Sequence, residues 1–275
     1  MKQLFTTSLL LFFAINFSLA QVTNPTEEYN RKGEIYMYWG WNRGWFSNSD
    51  IHFTGDEYDF TLYDVVAKDR QSPFGYDPYF KIDRITIPQY NWRIGYFFNN
   101  NYTISLGVDH MKYVMVEYQT TKIDGYIDGT GTKYDKTYNN EDIVLANDLI
   151  YLEHTDGLNY INIELRRYDE LFSYKKISLN LTEGFGGGML MPRTNAMLLN
   201  NPRNDEFHVA GFGLGAVVGL NITFWKYVFI QSEFKAGYIN MPDVRTTPNT
   251  ADKASQAFFY TQLNVLFGAK INIGK

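Results

Sequence analysis

The sequence predicts an all-β protein, an eight-stranded antiparallel up-and-down transmembrane barrel with long extracellular loops. Three observations point there. The C-terminal run Phe207–Ile273 alternates apolar and polar residues over three long stretches. Five earlier stretches alternate in the same way, and the links between all eight are in turn long and short. The chain is also rich in aromatic residues, with 22 Tyr, 21 Phe and 5 Trp, which suits the interfacial girdles of a membrane barrel, where an apolar ring and a polar tip are wanted together.

The alternation is physical evidence because successive side chains of a strand point to opposite faces. Along 212–224, Phe212, Leu214, Ala216, Val218, Leu220, Ile222 and Phe224 share one face; Gly211, Gly213, Gly215, Gly219, Asn221 and Thr223 share the other. Trp225-Lys226 is a short turn. Val228, Ile230, Phe234, Ala236 and Tyr238 resume the apolar face opposite Gln231, Glu233, Lys235 and Gly237. In the last strand, Phe259, Leu263, Val265, Phe267, Ala269, Ile271 and Ile273 oppose Tyr260, Gln262, Asn264, Gly268, Lys270 and Asn272.

From the N-terminus, residues 1–20 read as a cleaved secretory signal: Lys2, an apolar run around Leu9–Ala14, and Ser18-Leu19-Ala20 before Gln21. Residues 21–33 are polar and aperiodic, a periplasmic lead into a single barrel domain over 34–275. Strand one is 34–46, with Ile35, Met37, Trp39 and Trp41 toward lipid and Glu34, Tyr36, Tyr38, Gly40 and Asn42 toward the lumen. The Asp-rich segment 47–84 follows, and within it 51–66 has strand character that would extend the wall above the membrane. Strand two is 85–98, with Tyr90, Trp92, Ile94, Tyr96 and Phe98 outward and Gln89, Asn91, Arg93 and Gly95 inward. Asn99-Asn100-Asn101 is a turn. Strand three is 102–116, with Ile104, Leu106 and Val108 outward and Thr103, Ser105, Gly107 and Asp109 inward. A polar loop over 117–157 precedes strand four, 158–168, with Ile161, Ile163 and Leu165 outward and Tyr160, Asn162, Glu164 and Arg166 inward. Strand five is 174–191, a loop occupies 192–206, and a loop over 241–255 separates strands seven and eight.

Other classes are disfavoured. The absence of Cys excludes a disulfide framework and thiolate chemistry. A net charge of −5 argues against a nucleic-acid partner. After the signal no apolar run is long enough for a membrane helix. A soluble eight-stranded barrel would also alternate but carry its apolar face inside; long strands, unequal links and outward Trp and Tyr favour the membrane.

The inward charges are Glu34, Asp109, Glu164 and Glu233 against Arg93, Arg166, Lys235 and Lys270. Balanced signs suit a salt-bridged plug, and a narrow ion path along the same groups is the other reading. Lumen glycines of strands five and six, from Gly184 to Gly219, leave room for bulky side chains opposite, such as Tyr36 and Tyr38. The acidic first link lacks calcium-loop spacing, and His52, His154 and His208 lack metal-ligand spacing, so no metal and no cofactor are expected.

The whole pattern resembles the small eight-stranded outer-membrane barrels, the OmpA/OmpX-like group. Gly268, Ile271 and Ile273 resemble the C-terminal signal read by the barrel-assembly machinery, although the chain ends Gly274-Lys275 and not on an aromatic residue. The resemblance implies the outer membrane of a Gram-negative bacterium, a monomer, contacts with outer-membrane lipids and lipopolysaccharide, and an unknown extracellular partner for the loops. It implies a structural role, or adhesion and recognition through those loops. Lipid A deacylases of the PagL type use a lipid-facing His-x-Ser pair with a Glu. Here His110 and Glu183 point outward, but Lys112 stands where the Ser belongs and cannot be an acyl acceptor. His110 and Lys112 then read as rim residues that meet lipid phosphates.

Overall fold

The computed structural model describes residues 30–273. The expected signal over 1–20, most of the expected lead and Gly274-Lys275 lie outside them. Eight strands form a closed antiparallel ring: β1 (Glu34–Phe46), β5 (Tyr90–Phe97), β6 (Tyr102–Met115), β9 (Ile150–Tyr174), β10 (Ile177–Leu190), β13 (Gly211–Phe224), β14 (Val228–Arg245) and β15 (Lys253–Asn272). The ring closes where Glu34 pairs with Asn272 and Phe46 with Tyr260. Among the described residues no helix is long and apolar enough to cross a membrane.

One end of the ring has tight links. Trp225 and Lys226 both take positive φ (51° and 72°), the left-handed centre of a β-turn that Tyr227 N closes onto Phe224 O at 3.0 Å before Phe224 pairs with Val228. Asn99-Asn100-Asn101 joins β5 to β6, and Lys175, also at positive φ, helps turn β9 into β10. At the other end the links are long and largely folded. β2 (Ser49–Thr54) pairs with the upper end of β15, β3 (Tyr58–Val65) with β2, β7 (Thr120–Ile127) with β3, and β8 (Lys136–Val144) with β7. The two-residue strand β4 (Ala67–Lys68) pairs with β6. β11 (Arg193–Leu198) pairs with the upper end of β9 and with β12 (Asn204–Phe207). These additions raise the wall into a β-structured head.

The expected alternation is present through the ring, and its polarity reverses at the head. On the lower wall apolar residues point out: Leu106 and Ile163 are 47% and 56% exposed, and Phe234 is exposed with them. Higher on the same strands they point in. Met111, Tyr113 and Met115 on β6, Leu158, Leu152 and Ile150 on β9, and Ile239, Met241 and Val244 on β14 are buried. With Ile51, Phe53, Phe60, Leu62 and Ile123 they form one continuous apolar core inside the head. An outward apolar band marks a wall against hydrocarbon. An inward apolar core marks a wall against water. The reversal therefore locates the rim of the membrane band near Val108, Ile161, Tyr238 and Phe259.

This reversal explains the boundary errors of the sequence reading. Segment 51–66 does extend the wall, as a hairpin. The expected loop over 117–157 instead holds β7, β8 and the first part of β9, and 192–206 holds β11 and β12. Strand four begins at Ile150 and not at Leu158, and strands seven and eight run to Arg245 and from Lys253. A pattern that requires apolar residues outside fails where they turn inside. Strand two begins at Tyr90 and not at Ile85, because 81–88 is a series of turns outside the ring.

Candidate functional site

The lumen is filled in layers. At the tight-turn end Glu34 accepts an ion pair from Lys270 at 3.3 Å. Beside it Arg31 donates to Asn180 Oδ1 at 2.5 Å and lies 3.8 Å from Glu170. Above them sits an aromatic layer, in which Tyr36 packs on Phe97, Tyr168 and Phe229 at centroid distances of 5.8, 6.1 and 6.5 Å. The void between these two layers is about 10 Å³, room for about one water.

Next comes a six-charge cluster, three of each sign. Glu164 is its centre: Lys235 Nζ is 2.6 Å away, Arg93 Nη2 2.9 Å and Arg166 Nη2 2.6 Å. Lys235 also pairs with Asp109, and Arg166 with Glu233. Arg93 approaches Asp109 at 4.0 Å. All six are buried. Neutral groups complete the network. Tyr38 OH accepts from Arg93 Nε at 2.9 Å and Arg166 Nη2 at 3.0 Å. Asn162 accepts from Arg93 at 2.6 Å and donates to Asp109 at 3.1 Å. Gln231 and Asn264 donate to Glu233 at 2.5 and 3.3 Å. A charge taken from water into a low-dielectric interior is tolerated only when paired and hydrogen-bonded. Here each charge has a counter-charge, and the cluster sums to zero. Tyr160 and Tyr260, 6.2 Å apart, roof it, and above them lies the apolar core of the head.

The lumen glycines make space for this cluster. A Cβ on Gly184 would meet Arg166 Cγ at 2.7 Å, on Gly186 Glu164 Cγ at 2.5 Å, and on Gly213 Tyr160 at 2.9 Å. The side chains that use the space are thus Arg166, Glu164 and Tyr160, not Tyr36 and Tyr38 as expected. Tyr36 lies instead over Gly95. The structure places all eight inward charges in two groups: Glu34 with Lys270, and the other six together. Arg31 escaped the sequence reading because it precedes any periodic stretch. Tyr38 and Asn162 had inward positions, but a neutral side chain gives no signal of its network role.

On the outer wall His110 stacks on Tyr90 at 4.7 Å, with Nδ1 2.8 Å from Asn159 Oδ1. Lys112 Nζ donates to the Ile87 carbonyl at 2.8 Å. Glu183 remains outward, but it pairs in register with Arg167, which pairs with Tyr102 at the opposite end of the band. The separation from His110 is the length of strand from Tyr102, roughly 26 Å at about 3.3 Å per residue. The three do not form a His–acid catalytic unit. Gly268 faces the lumen against Phe229, and Ile271 and Ile273 are exposed at the tight-turn end. Among the described residues no three His, Asp or Glu side chains gather as a metal site. At the head tip, Asp56, Glu57, Asn201, Asn249 and Asp252 border a crevice of about 370 Å³.

A closed ring of eight antiparallel strands, an outward apolar band and a filled polar lumen decide the architecture. It is that of an eight-stranded up-and-down transmembrane barrel. No family model matches the sequence, and no curated protein matches it either. Among solved structures the chain is similar to the outer membrane protein OprG of Pseudomonas aeruginosa, at 9% identity over 89% of this chain and 99% of that one, with a TM-score of 0.45. It is also similar to Ail, the attachment invasion locus protein of Yersinia pestis, at 10% identity, 86% and 99% coverage and a TM-score of 0.29. A third is the outer membrane protease OmpT of Escherichia coli, at 8% identity, 92% and 99% coverage and a TM-score of 0.30.

Proposed function

We propose that this protein is a non-conducting barrel of a Gram-negative outer membrane whose work is done by the head, as a recognition or adhesion surface held rigidly above the bilayer. The observation that carries the reading is the double closure of the lumen, first by the neutral six-charge cluster and then by the apolar core of the head. A path for ions would need water beside those charges, and their polar atoms are used on one another. A head with its own apolar core presents fixed side chains at low ordering cost, which favours binding. Tyr63, Tyr118 and Tyr126 are exposed on it, as is the acid- and amide-lined crevice at the tip. Outer-membrane lipids, the assembly machinery that reads Gly268, Ile271 and Ile273, and an extracellular ligand for the head are the partners this reading requires.

Two measurements test it. Refolded protein in a planar bilayer should give no current steps; steady channels that change on neutralising Arg93 would overturn the closed lumen. Cells producing the full chain should adhere to cultured cell monolayers or to one another more than cells producing a variant in which a short turn replaces 120–144. Equal adhesion, with both proteins at equal surface level, would remove the recognition role.

A further inference from the structure

Arg70 still reaches the head, where it pairs with Glu153 at 2.8 Å, but residues 71–89 of the first long link do not join it. They return along the outer surface of β1, reach Lys112 of β6, and rest on the aromatic ladder of the wall. Trp41 on β1 meets Trp39 at 5.0 Å and Phe267 at 5.9 Å, within the outward band. The returning segment adds Tyr79 at 5.4 Å and Phe80 at 5.6 Å, both edge-on to Trp41. It is pinned in place. Tyr79, in the one-turn helix α1 (Tyr76–Tyr79), donates its hydroxyl to the Ser72 carbonyl at 3.0 Å. Lys112 holds the Ile87 carbonyl from β6.

The segment turns its other apolar side chains away from the protein. Phe74 is 77% exposed, Tyr76 74% and Ile82 92%, with Phe80 and Ile87 about half exposed. A contiguous apolar patch of this kind in water is unfavourable and marks a contact surface. Its occupant follows from its place. The patch is continuous, through Trp41 and Phe267, with the band that faces hydrocarbon. Arg43, Lys81 and Arg84 border it; Asp77 pairs with the last two at 3.6 and 3.2 Å, and Arg43 stands outward and exposed on β1. Aromatic rings with cationic neighbours at the edge of a hydrocarbon band are the chemistry of the head-group boundary.

We propose that residues 73–88 are an interfacial foot. Phe74, Tyr76, Phe80, Ile82 and Ile87 enter the boundary between lipid head groups and acyl chains on the head side of the membrane. The foot sets the height and tilt of the barrel, and its partner is the lipid surface. The proposal rests on the reading of the wall as membrane-spanning.

The chain has no Cys, so single labels can be placed cleanly. The full protein, refolded into phosphatidylcholine–phosphatidylglycerol vesicles, would carry an environment-sensitive fluorophore at I82C, at Y126C on the head, or at I163C in mid-wall. Lipids brominated near the top of the acyl chain are the quenchers. Strong quenching at 82, near that at 163, with none at 126, is the expected result, since interfacial apolar faces reach about 5–10 Å into the boundary. Quenching at 163 with position 82 as wet as 126 would overturn the foot and leave the barrel standing. No quenching at 163 would overturn the membrane reading itself and the foot with it.

Discussion

Lys235 Nζ and Glu164 Oε1 stand 2.6 Å apart across the lumen, on β14 and β9, which are not neighbours in the ring. The contact ties staves three places apart in the ring, and Lys235 also pairs with Asp109 on β6, the stave directly opposite β14. Removing one partner of a buried pair leaves an uncompensated charge, at a cost of about 3–5 kcal/mol. Lys235→Met should therefore lower unfolding stability in detergent by about that amount. Adding Asp109→Asn should recover part of it, because the cluster is then neutral again. A double variant no better than the single one would show that geometry, not charge balance, holds the cluster.

Gly186 offers a steric test. Its missing Cβ lies where Ile163 O would be 2.2 Å and Glu164 Cγ 2.5 Å away. Gly186→Val should displace Glu164 and cost about 1–3 kcal/mol or more, with a lower yield of refolded, heat-shifted barrel on gels. Gly75→Ala is the control. Its φ of −177° is extended backbone and its nearest contact would be Asp77 O at 3.5 Å, so a change within about 0.5 kcal/mol is expected.

His154 makes the head sensitive to acid. It lies in the head above the membrane band, wholly buried against Tyr113, with Nδ1 3.1 Å from Thr194 Oγ1. Burial pushes its pKa down to about 4, with the neighbouring Glu153 acting in the opposite direction. Glu153 is itself paired with Arg70 at 2.8 Å. Since the folded pKa lies below the unfolded value, the unfolded state binds the proton first as pH falls. Head stability should be constant above about pH 6.5 and then fall by up to about 1.4 kcal/mol per unit down to pH 4. Protease accessibility of the head at pH 7, 6 and 5 would show the loss, and His154→Met should remove that slope.

The head core should behave as a soluble core. Phe60 is buried and stacks on Phe53 at 5.2 Å. Phe60→Ala should cost about 3–5 kcal/mol locally and open the β2–β3 and β7–β8 hairpins to trypsin, while the heat-shifted gel mobility of the lower barrel persists. Loss of both together would mean that head and wall unfold as one unit.

Alternation along each strand made the ring legible in the sequence. It assigned the strand count, the two link classes and the inward or outward sense of residues such as Arg93, Glu164 and Ile163. That worked because side-chain direction is a local property of an extended backbone, and one environment per face leaves a regular pattern. The head was less legible for the same reason. Where Ile150 and Leu152 precede Leu158 on β9, the apolar face moves from lipid to core, and the pattern resembles a polar loop interrupted by stray hydrophobics. The foot was illegible because Phe74, Tyr76, Phe80 and Ile82 have no strand period; only the wall beneath them gives their exposure a meaning.

By itself, then, the sequence determined an eight-stave wall with an apolar outside, a polar inside and four long links at one end. Tertiary structure alone decided which charges meet, that three cations close on Glu164 within a cluster of six charges, and that His110 and Glu183 stand at opposite ends of the band. Register around a closed ring is set by every hairpin together, so contacts across the lumen, such as Lys235 with Glu164, have no local signature to read.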